Sequence, residues 1–255
     1  MTLNVRRVGG HGPDVAFIPG WGMSSRIWEP LAQRLQKQFT CHLVDLPGHG
    51  ASAPGAAGLN NWVDEVVAAI GRPAIHVGWS LGGLIALGAA RRHPAQVPGM
   101  ALVATLARFI REPGNDYGMK PKAIEATRAG LARDFSTTLS EFLIQQVLGE
   151  PGAAKAVRSL RNDLIDRPPT RDGLERGLDI LFEADFRAQL AAIEQPALVV
   201  AGARDRIAHP DGMAALAEQL PRAEFWRVER AAHAPFVSHE GTFAKRLRAF
   251  ADTLA

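Results

Sequence analysis

The most informative stretch of this chain is Gly78-Trp79-Ser80-Leu81-Gly82, which places a serine inside a G-x-S-x-G frame directly after the apolar segment 74–77. Such a frame predicts a sharp turn from a strand into a helix, because glycines lack the Cβ atoms that would block so tight an elbow. Ser80 would stand exposed at this turn, beside backbone N–H groups that favour a developing negative charge. The five residues alone fit an ordinary surface turn equally well, so the rest of the chain decides.

The overall composition is that of an ordinary globular protein. The 255 residues are 47% hydrophobic and 22% charged, which suffices for one large core with an insertion. The net charge of +3 is too small to indicate nucleic-acid binding. Cys41 is the single cysteine, so no disulfide can form within the chain, and we expect it to be a buried filler. With no secretory signal and no apolar run of membrane-spanning length, we expect a soluble, cytoplasmic, monomeric protein.

Short apolar runs alternate with helical stretches along most of the chain. The runs are continuous rather than alternating in polarity, which is typical of strands covered by helices on both faces. They predict an α/β fold with a mostly parallel sheet. The predicted strands are 15–18, 41–44, 75–77, 100–103, 197–201 and 224–228. The predicted helices around them are 28–36, 60–70, 81–92, 210–219 and 241–254.

A purely helical block interrupts this alternation from about residue 108 to residue 186. Its predicted helices are 121–133, 136–148, 153–166 and 171–183. We interpret 108–186 as an inserted helical cap on a core formed by 1–107 and 187–255. A cap would cover the carboxyl edge of the sheet, where ligands bind in open α/β folds, so Ser80 and the cap should face one crevice.

Two later positions offer the base and the acid that a serine nucleophile needs. Asp205 follows the apolar strand 197–201, and His233 lies in a loop between the last predicted strand and the last helix. The chain order Ser, Asp, His is that of the α/β-hydrolase arrangement. The alternative position for the acid, after strand 100–103, carries no carboxylate. Asp205 could instead cap a helix, and His233 could be a polar loop residue. Among the other histidines, His49 is the nearest alternative to His233 as the base.

The loop after the first predicted parallel strand offers a second donor for an oxyanion. It reads Pro19-Gly20-Trp21-Gly22-Met23, in which the glycines let the backbone curve so that the Trp21 N–H points inward beside that of Leu81. Many α/β hydrolases begin this loop with His-Gly, whereas this chain has Pro19. The segment 45–52, D-L-P-G-H-G-A-S, also matches a turn common in that superfamily, where its role is structural.

The chain resembles the α/β hydrolases over its whole length, and closely resembles the pimeloyl-ACP methyl ester carboxylesterases of biotin synthesis. The stretches that carry this resemblance are G-W-G at 20–22, H-L-V-D-L-P-G at 42–48, G-W-S-L-G-G-L at 78–84 and A-A-H-A-P-F at 231–236. The resemblance implies a triad of Ser80, Asp205 and His233. It further implies oxyanion donors at Trp21 and Leu81, and substrate contacts at Trp79, Phe142 and Met23. It implies no metal and no organic cofactor.

The resemblance also implies a protein partner, since these esterases use basic cap residues to bind the acidic acyl carrier protein. Arg158 matches such a position, and Lys155 and Arg161 lie within a helical turn of it. The preceding cap helix departs from the pattern, because uncharged and acidic residues replace the arginines of related esterases: Ser136, Thr137, Ser140 and Glu141. We therefore expect weaker carrier docking or a different register.

The implied reaction is a two-step acyl transfer. His233 accepts the Ser80 proton as the hydroxyl attacks the ester carbonyl, methanol leaves, and water then releases the acid. A broad carboxylesterase or a C–C hydrolase acting on small free substrates would use the same three residues. A ligand-binding relative without turnover is the alternative outside catalysis. The serine at the elbow excludes the aspartate nucleophile of haloalkane dehalogenases and epoxide hydrolases.

Overall fold

A single seven-stranded sheet organises the protein. The computed structural model describes residues 3–146, 158, 161, 162, 164 and 168–254. Within these residues the strand order is β1-β3-β2-β4-β5-β6-β7; β1 runs antiparallel to β3 and every other neighbouring pair is parallel. The strands are β1 Val5–Val8, β2 Asp14–Ile18, β3 Thr40–Val44, β4 Ile75–Trp79, β5 Met100–Val103, β6 Ala197–Gly202 and β7 Ala223–Val228.

Helices precede or follow most strands and cover the sheet. In the described residues the α-helices are α1 Glu29–Leu35, α2 Leu59–Ile70, α3 Leu81–Arg92, α4 Pro121–Arg133, α5 Phe135–Gln146, α6 Arg171–Glu183, α7 Pro210–Gln219, α8 Pro235–Ser238 and α9 Glu240–Asp252. None of them is long and apolar enough to cross a membrane. Strands β3, β4, β5 and β6 are buried along their whole length, as the continuous apolar runs predict.

Strand β1 is the one strand of the described sheet that the sequence analysis missed. Its sequence Val5-Arg6-Arg7-Val8 is polar at the centre, and the strand lies at the antiparallel edge with its residues half-buried or exposed. An edge strand with one solvated side needs no continuous apolar run, so the pattern that identified the inner strands does not apply to it.

Helices α4, α5 and α6 lie between β5 and β6 in the chain. At their two ends, Arg108 and Asp185 form an isolated antiparallel bridge, and the Phe186 N–H donates to the Ala107 carbonyl at 2.9 Å. The segment that leaves the sheet after β5 and the segment that returns to it before β6 therefore lie next to each other. Of the predicted helix 153–166, only residues 158, 161, 162 and 164 are described, and they have helical backbone. The other residues of that helix, and residues 147–148 of the preceding one, lie outside the described ranges.

Two sets of contacts fix helix α6 in place. Arg128 of α4 forms ion pairs with Glu175 and Asp179 of α6, at 2.5 and 2.7 Å. On the core side, the Cα atoms of Gly48 and Gly173 approach so closely that a Cβ on Gly48 would lie 2.6 Å from Gly173 Cα. A side chain at either glycine would push α6 away from the turn that follows β3.

Candidate active site

Ser80 occupies a sharp elbow between β4 and α3. Its φ and ψ are +53° and −114°, in a region that non-glycine residues rarely adopt. The flanking glycines permit this approach of strand and helix. A Cβ on Gly78 would overlap the carbonyl oxygen of Gly82, and a Cβ on Gly82 would overlap the carbonyl oxygen of Ile18 in β2. Both glycines of the motif are therefore required by close backbone contacts.

Hydrogen bonds connect the elbow to the last residue of β5 and to the segment that follows it. The Ser80 N–H donates to the Val103 carbonyl at 2.8 Å, and the Thr105 hydroxyl donates to the Ser80 carbonyl at 2.8 Å. Thr105 is fully buried, and Ala104 beside it has a positive φ of +47°. Thr105 was not identified from the sequence, where this segment was a candidate only for the position of the acid. A hydroxyl residue directly after a strand next to the elbow strand is a weak signal for such a contact.

The side chains of His233 and Asp205 meet at the carboxyl edge of the sheet. Nδ1 of His233 lies 2.8 Å from Oδ2 of Asp205, and both side chains are almost completely buried. The second carboxylate oxygen, Oδ1, accepts from the N–H groups of Ile207 and Ala208 at 2.8 and 2.9 Å. Three hydrogen bonds thus hold the Asp205 carboxylate in one orientation, which in turn orients the imidazole.

The backbone of His233 is anchored on two sides. Its carbonyl accepts from the Trp79 indole N–H at 2.7 Å, and its N–H donates to the Gln146 carbonyl at the end of α5 at 2.9 Å. The Nε2 atom of the ring is buried and makes no hydrogen bond within the described residues. This nitrogen is therefore the atom of the imidazole that remains to exchange a proton with another group.

A cavity of about 410 Å³ opens above Ser80, between the sheet and the helices α4, α5 and α6. Its buried lining is mostly apolar and comprises Trp21, Ser80, Phe109, Ile124, Gly130, Leu178, Leu181 and Ile207. The exposed residues of its lining mark the mouth and lie on α4 and α5: Ala123, Ala126, Arg133, Glu141 and Gln145. The cavity suits an apolar chain whose reactive end reaches Ser80 and whose other end leaves between these two helices.

Trp21 and Leu81, the predicted oxyanion residues, lie side by side beneath α6. A Cβ on Gly177 would come within 2.7 Å of Trp21 Cδ1 and 3.3 Å of Leu81 Cδ2, so both side chains pack against this one glycine. Leu81 is the first residue of α3, and its N–H therefore has no acceptor within the helix. The Trp21 indole N–H donates to the Leu174 carbonyl of α6 at 2.9 Å, which ties this loop to the helix above it.

The predicted substrate contacts fall into two groups. Phe142 lines the cavity and packs edge-on against Trp21, with ring centroids 4.8 Å apart. Trp79 and Met23 do not line it. Both are buried in the cluster on the other side of the sheet, where Trp79 packs against Phe236. Successive side chains of a strand point to opposite faces, and Trp79 shares the face of Val77, so it supports the His233 loop instead.

The predicted carrier contacts are only partly described. Arg158 and Arg161 have helical backbone and exposed side chains, whereas Lys155 lies outside the described residues. On α5, Ser136, Thr137, Ser140 and Glu141 are all exposed, and Glu141 lies at the cavity mouth. Arg133, at the end of α4, lies at the same mouth and was not among the carrier contacts predicted from the sequence. It forms no ion pair with any described residue, unlike Arg128.

His49, the rival for the base, belongs to the interior of the core. It is fully buried against Trp62, and its Nδ1 lies 2.9 Å from the Pro47 carbonyl oxygen. Desolvation lowers its pKa to about 4, so it stays neutral at ordinary pH. In the part of the chain that the structure describes, no cluster of three or more His, Cys, Asp or Glu side chains could hold a metal ion.

Known proteins resemble this chain along nearly its whole length. A family model described as alpha/beta hydrolase fold matches residues 13–240. A pimeloyl-(acyl-carrier protein) methyl ester esterase from Chromobacterium violaceum is 41% identical and covers 100% of both chains. The protein of the same description from Stenotrophomonas maltophilia is 40% identical and covers 97% of this chain and 96% of its own.

Solved structures show the same fold at lower identity. An esterase from Exiguobacterium antarcticum superposes with a TM-score of 0.88 at 21% identity, covering 97% of this chain and 94% of that one. An enol-lactonase from Burkholderia xenovorans gives a TM-score of 0.86 at 22% identity, covering 98% and 96%. The α/β class and the mostly parallel sheet predicted from the sequence are thus confirmed. The chain belongs to the α/β-hydrolase fold family and, within it, to the family of the pimeloyl-(acyl-carrier protein) methyl ester esterases.

Proposed function

We propose that this protein is a serine carboxylesterase that hydrolyses the methyl ester of a pimeloyl group carried by acyl carrier protein. One observation carries the chemistry: the buried His233–Asp205 pair lies at the same sheet edge as the Ser80 elbow, with Nε2 of His233 unpaired. The carrier-linked methyl ester is the substrate in the names of the relatives at about 40% identity.

The hydrolysis begins with proton transfer. Nε2 of His233 removes the Ser80 proton as the hydroxyl attacks the ester carbonyl, and Asp205 stabilises the imidazolium that forms. The N–H groups of Trp21 and Leu81 bind the oxyanion. Each such donor contributes about 3 kcal/mol to transition-state stabilisation, so the loop at Trp21 matters as much as the ionisable residues. His233 then protonates the departing methanol, and water attacks the acyl-serine by the reverse sequence of proton transfers.

The shape of the cavity supports an acyl chain that enters from the α4–α5 side. The ester end would lie at Ser80, the methylene chain would contact the apolar lining, and the carrier-linked end would leave past Arg133 and Glu141. Burial of such a chain contributes about 0.8 kcal/mol for each CH₂ group. A helical cap with bounds at 108 and 186, supported by the Arg108–Asp185 bridge, would roof this cavity.

Carrier binding by the cap supplies the specificity in this proposal. Arg158 and Arg161, which follow α5 in the chain, are exposed cations, as required for contact with an acidic carrier. Lys155, outside the described residues, is proposed as a third contact. The cytoplasmic location and the monomeric state remain predictions from the sequence.

The test of the full proposal is genetic. The gene should restore biotin-independent growth to a bacterial host that lacks its own methyl ester esterase, and the Ser80→Ala variant should not. If neither the wild-type gene nor the Ser80→Ala gene restores growth, although both proteins accumulate, the proposal of a carrier-linked substrate is contradicted.

The second candidate function is that of a broad carboxylesterase acting on small free esters. Glu141 at the cavity mouth favours this function, because its negative charge would repel an acidic carrier. Turnover of a carrier-linked methyl ester and of the free dimethyl ester should be compared, and equal values of kcat/KM would support this candidate. A fluorophosphonate probe that labels the wild type but not Ser80→Ala would support either esterase function. Failure to label the folded wild type would favour a non-catalytic ligand-binding protein.

A further inference from the structure

Thr105 holds the peptide unit that joins the nucleophile to the first residue of α3. Its hydroxyl donates to the Ser80 carbonyl at 2.8 Å, and the hydrogen bond is buried. The same carbonyl also accepts from the Gly83 N–H at 2.9 Å, within the first turn of α3. Of these two contacts, only the one from Thr105 comes from outside the elbow and ties it to the segment after β5.

Thr105 is held in place by burial and by close packing against Gly83. The residue is fully buried, and a Cβ on Gly83 would come within 2.6 Å of its Cβ and Cγ2 atoms. The backbone before it is held by the hydrogen bond from the Ala104 N–H to the Val200 carbonyl of β6, at 2.9 Å. A side chain confined in this way presents its hydroxyl in one direction.

The carbonyl of Ser80 and the N–H of Leu81 belong to one peptide bond. That bond is planar and trans, so its C=O and N–H point in opposite directions and cannot rotate independently. A donor that fixes the carbonyl on one side therefore fixes the N–H on the other. The backbone at Ser80 has φ of +53°, so this peptide unit is held in an orientation that the chain alone does not favour.

We propose that Thr105 is a positioning residue for the oxyanion site: by holding the Ser80 carbonyl, it aims the Leu81 N–H at the oxygen that becomes negative during acyl transfer. This inference rests on the proposed esterase function. It adds a residue that touches neither substrate nor triad side chain and acts through the peptide plane. Its effect falls on the transition state, since an oxyanion donor acts most strongly on charge that develops during the reaction.

The test uses two substitutions of Thr105 with opposite expectations. Thr105→Val keeps the shape and removes the hydroxyl, whereas Thr105→Ser keeps the hydroxyl and removes the methyl group. With p-nitrophenyl butyrate as substrate, Thr105→Val should lower kcat about tenfold and leave KM within twofold. The loss should be smaller than that for removal of an oxyanion donor, because a misdirected N–H still provides part of the transition-state stabilisation. Thr105→Ser should retain most of the wild-type kcat.

A tetrahedral analogue separates positioning from a merely structural role. An alkyl trifluoromethyl ketone forms a hemiketal oxyanion with the serine, so its affinity for Thr105→Val should fall by the same factor as kcat/KM. Thr40→Val, which removes another buried hydroxyl at the start of β3, is the control and should change neither quantity. If Thr105→Val does not fold, Thr105→Ala replaces it with the same expectations.

The proposal is overturned if Thr105→Val matches the wild type, if Thr105→Ser loses as much activity as Thr105→Val, or if kcat falls with no change in ketone affinity. A wild-type protein that hydrolyses no ester would contradict the proposed function itself. A wild type that hydrolyses the ester while its Thr105 variants do not differ would contradict only the positioning role.

Discussion

The imidazole of His233 and the carboxylate of Asp205 form a 2.8 Å contact between two side chains with 2% and 0% exposure. Asp205→Asn tests what this pair does. The amide oxygen must keep accepting from the N–H groups of Ile207 and Ala208, so the NH₂ group faces Nδ1 and forces the ring proton onto Nε2. The base would be lost with the fold intact, and we expect kcat to fall by about 10⁴.

The measurement for Asp205→Asn is the steady-state rate on a neutral ester, with circular dichroism to verify the fold. Asp211→Asn, at an exposed aspartate in the first turn of α7, is the matched control and should leave kcat unchanged. A kcat of Asp205→Asn within tenfold of the wild type would refute the assigned role of the acid.

Gly82→Ala should be far more damaging than an alanine at an open glycine. The added methyl group would overlap the Ile18 carbonyl oxygen and separate α3 from β2. We expect a loss of at least about 3 kcal/mol in the free energy of unfolding, or no folded protein. Gly241→Ala, where no atom lies within 4 Å of the added Cβ, should be neutral or slightly stabilising. Equal melting temperatures for the two variants would contradict the close approach at the elbow.

Acidification should destabilise the fold through two buried histidines. Desolvation lowers the pKa of His76 and of His49 to about 4, from the ordinary value near 6.5. Between those values the unfolded chain binds protons that the folded protein does not, so the free energy of unfolding falls as the pH drops below about 6.5. Above that range these two histidines contribute no pH dependence.

Urea unfolding at pH 7 and pH 5 measures this effect. Each histidine should account for about 2 kcal/mol of the difference between the two pH values. His76→Leu should remove that share, and His11→Gln, at an exposed histidine, should remove none. A difference that is the same in His76→Leu and in the wild type would show that His76 does not titrate in this way.

Arg133 and Glu141 at the cavity mouth should have opposite effects on a carrier-linked substrate. Both are exposed, and they carry opposite charges next to the proposed path of the carrier arm. With an acidic carrier, Arg133→Gln should raise KM about threefold and Glu141→Gln should lower it by a similar factor. The differences should shrink at 0.5 M salt, because screening weakens exposed charge pairs.

Free dimethyl pimelate is the matched control for these two variants, since it is neutral and its KM should not change. If both substitutions move KM in the same direction, the effect is not electrostatic and the mouth assignment is wrong.

The elbow was predictable from the sequence because the residues that form it lie within five consecutive positions, 78–82. The spacing of Gly78 and Gly82 around Ser80 reflects backbone approaches within a few residues of the motif and to a neighbouring strand. The inner strands were predictable for a similar reason, since burial on both faces leaves a continuous apolar run. Strand β1 escaped because its two central residues are arginines, whereas β7 at the opposite edge carries Phe225, Trp226 and Val228.

The contacts of the site that depend on distant segments could not be predicted. Thr105 and Gln146 act through hydrogen bonds to Ser80 and His233, and no pattern in one segment reveals a partner in another. Trp79 was assigned to the substrate channel only through the resemblance to the esterase family. The alternation of side chains along β4 turns it to the opposite face, where it holds the His233 loop.

The order of the elements along the chain has a consequence for biosynthesis. The nucleophile elbow is translated before α4, α5 and α6, whereas β6, β7, Asp205 and His233 are translated after them. At roughly 5–20 residues per second, a ribosome needs on the order of ten seconds to pass from the serine codon to the histidine codon. A nascent polypeptide halted in that interval would present the alcohol without its proton acceptor, so the unfinished molecule could not attack esters during its own synthesis.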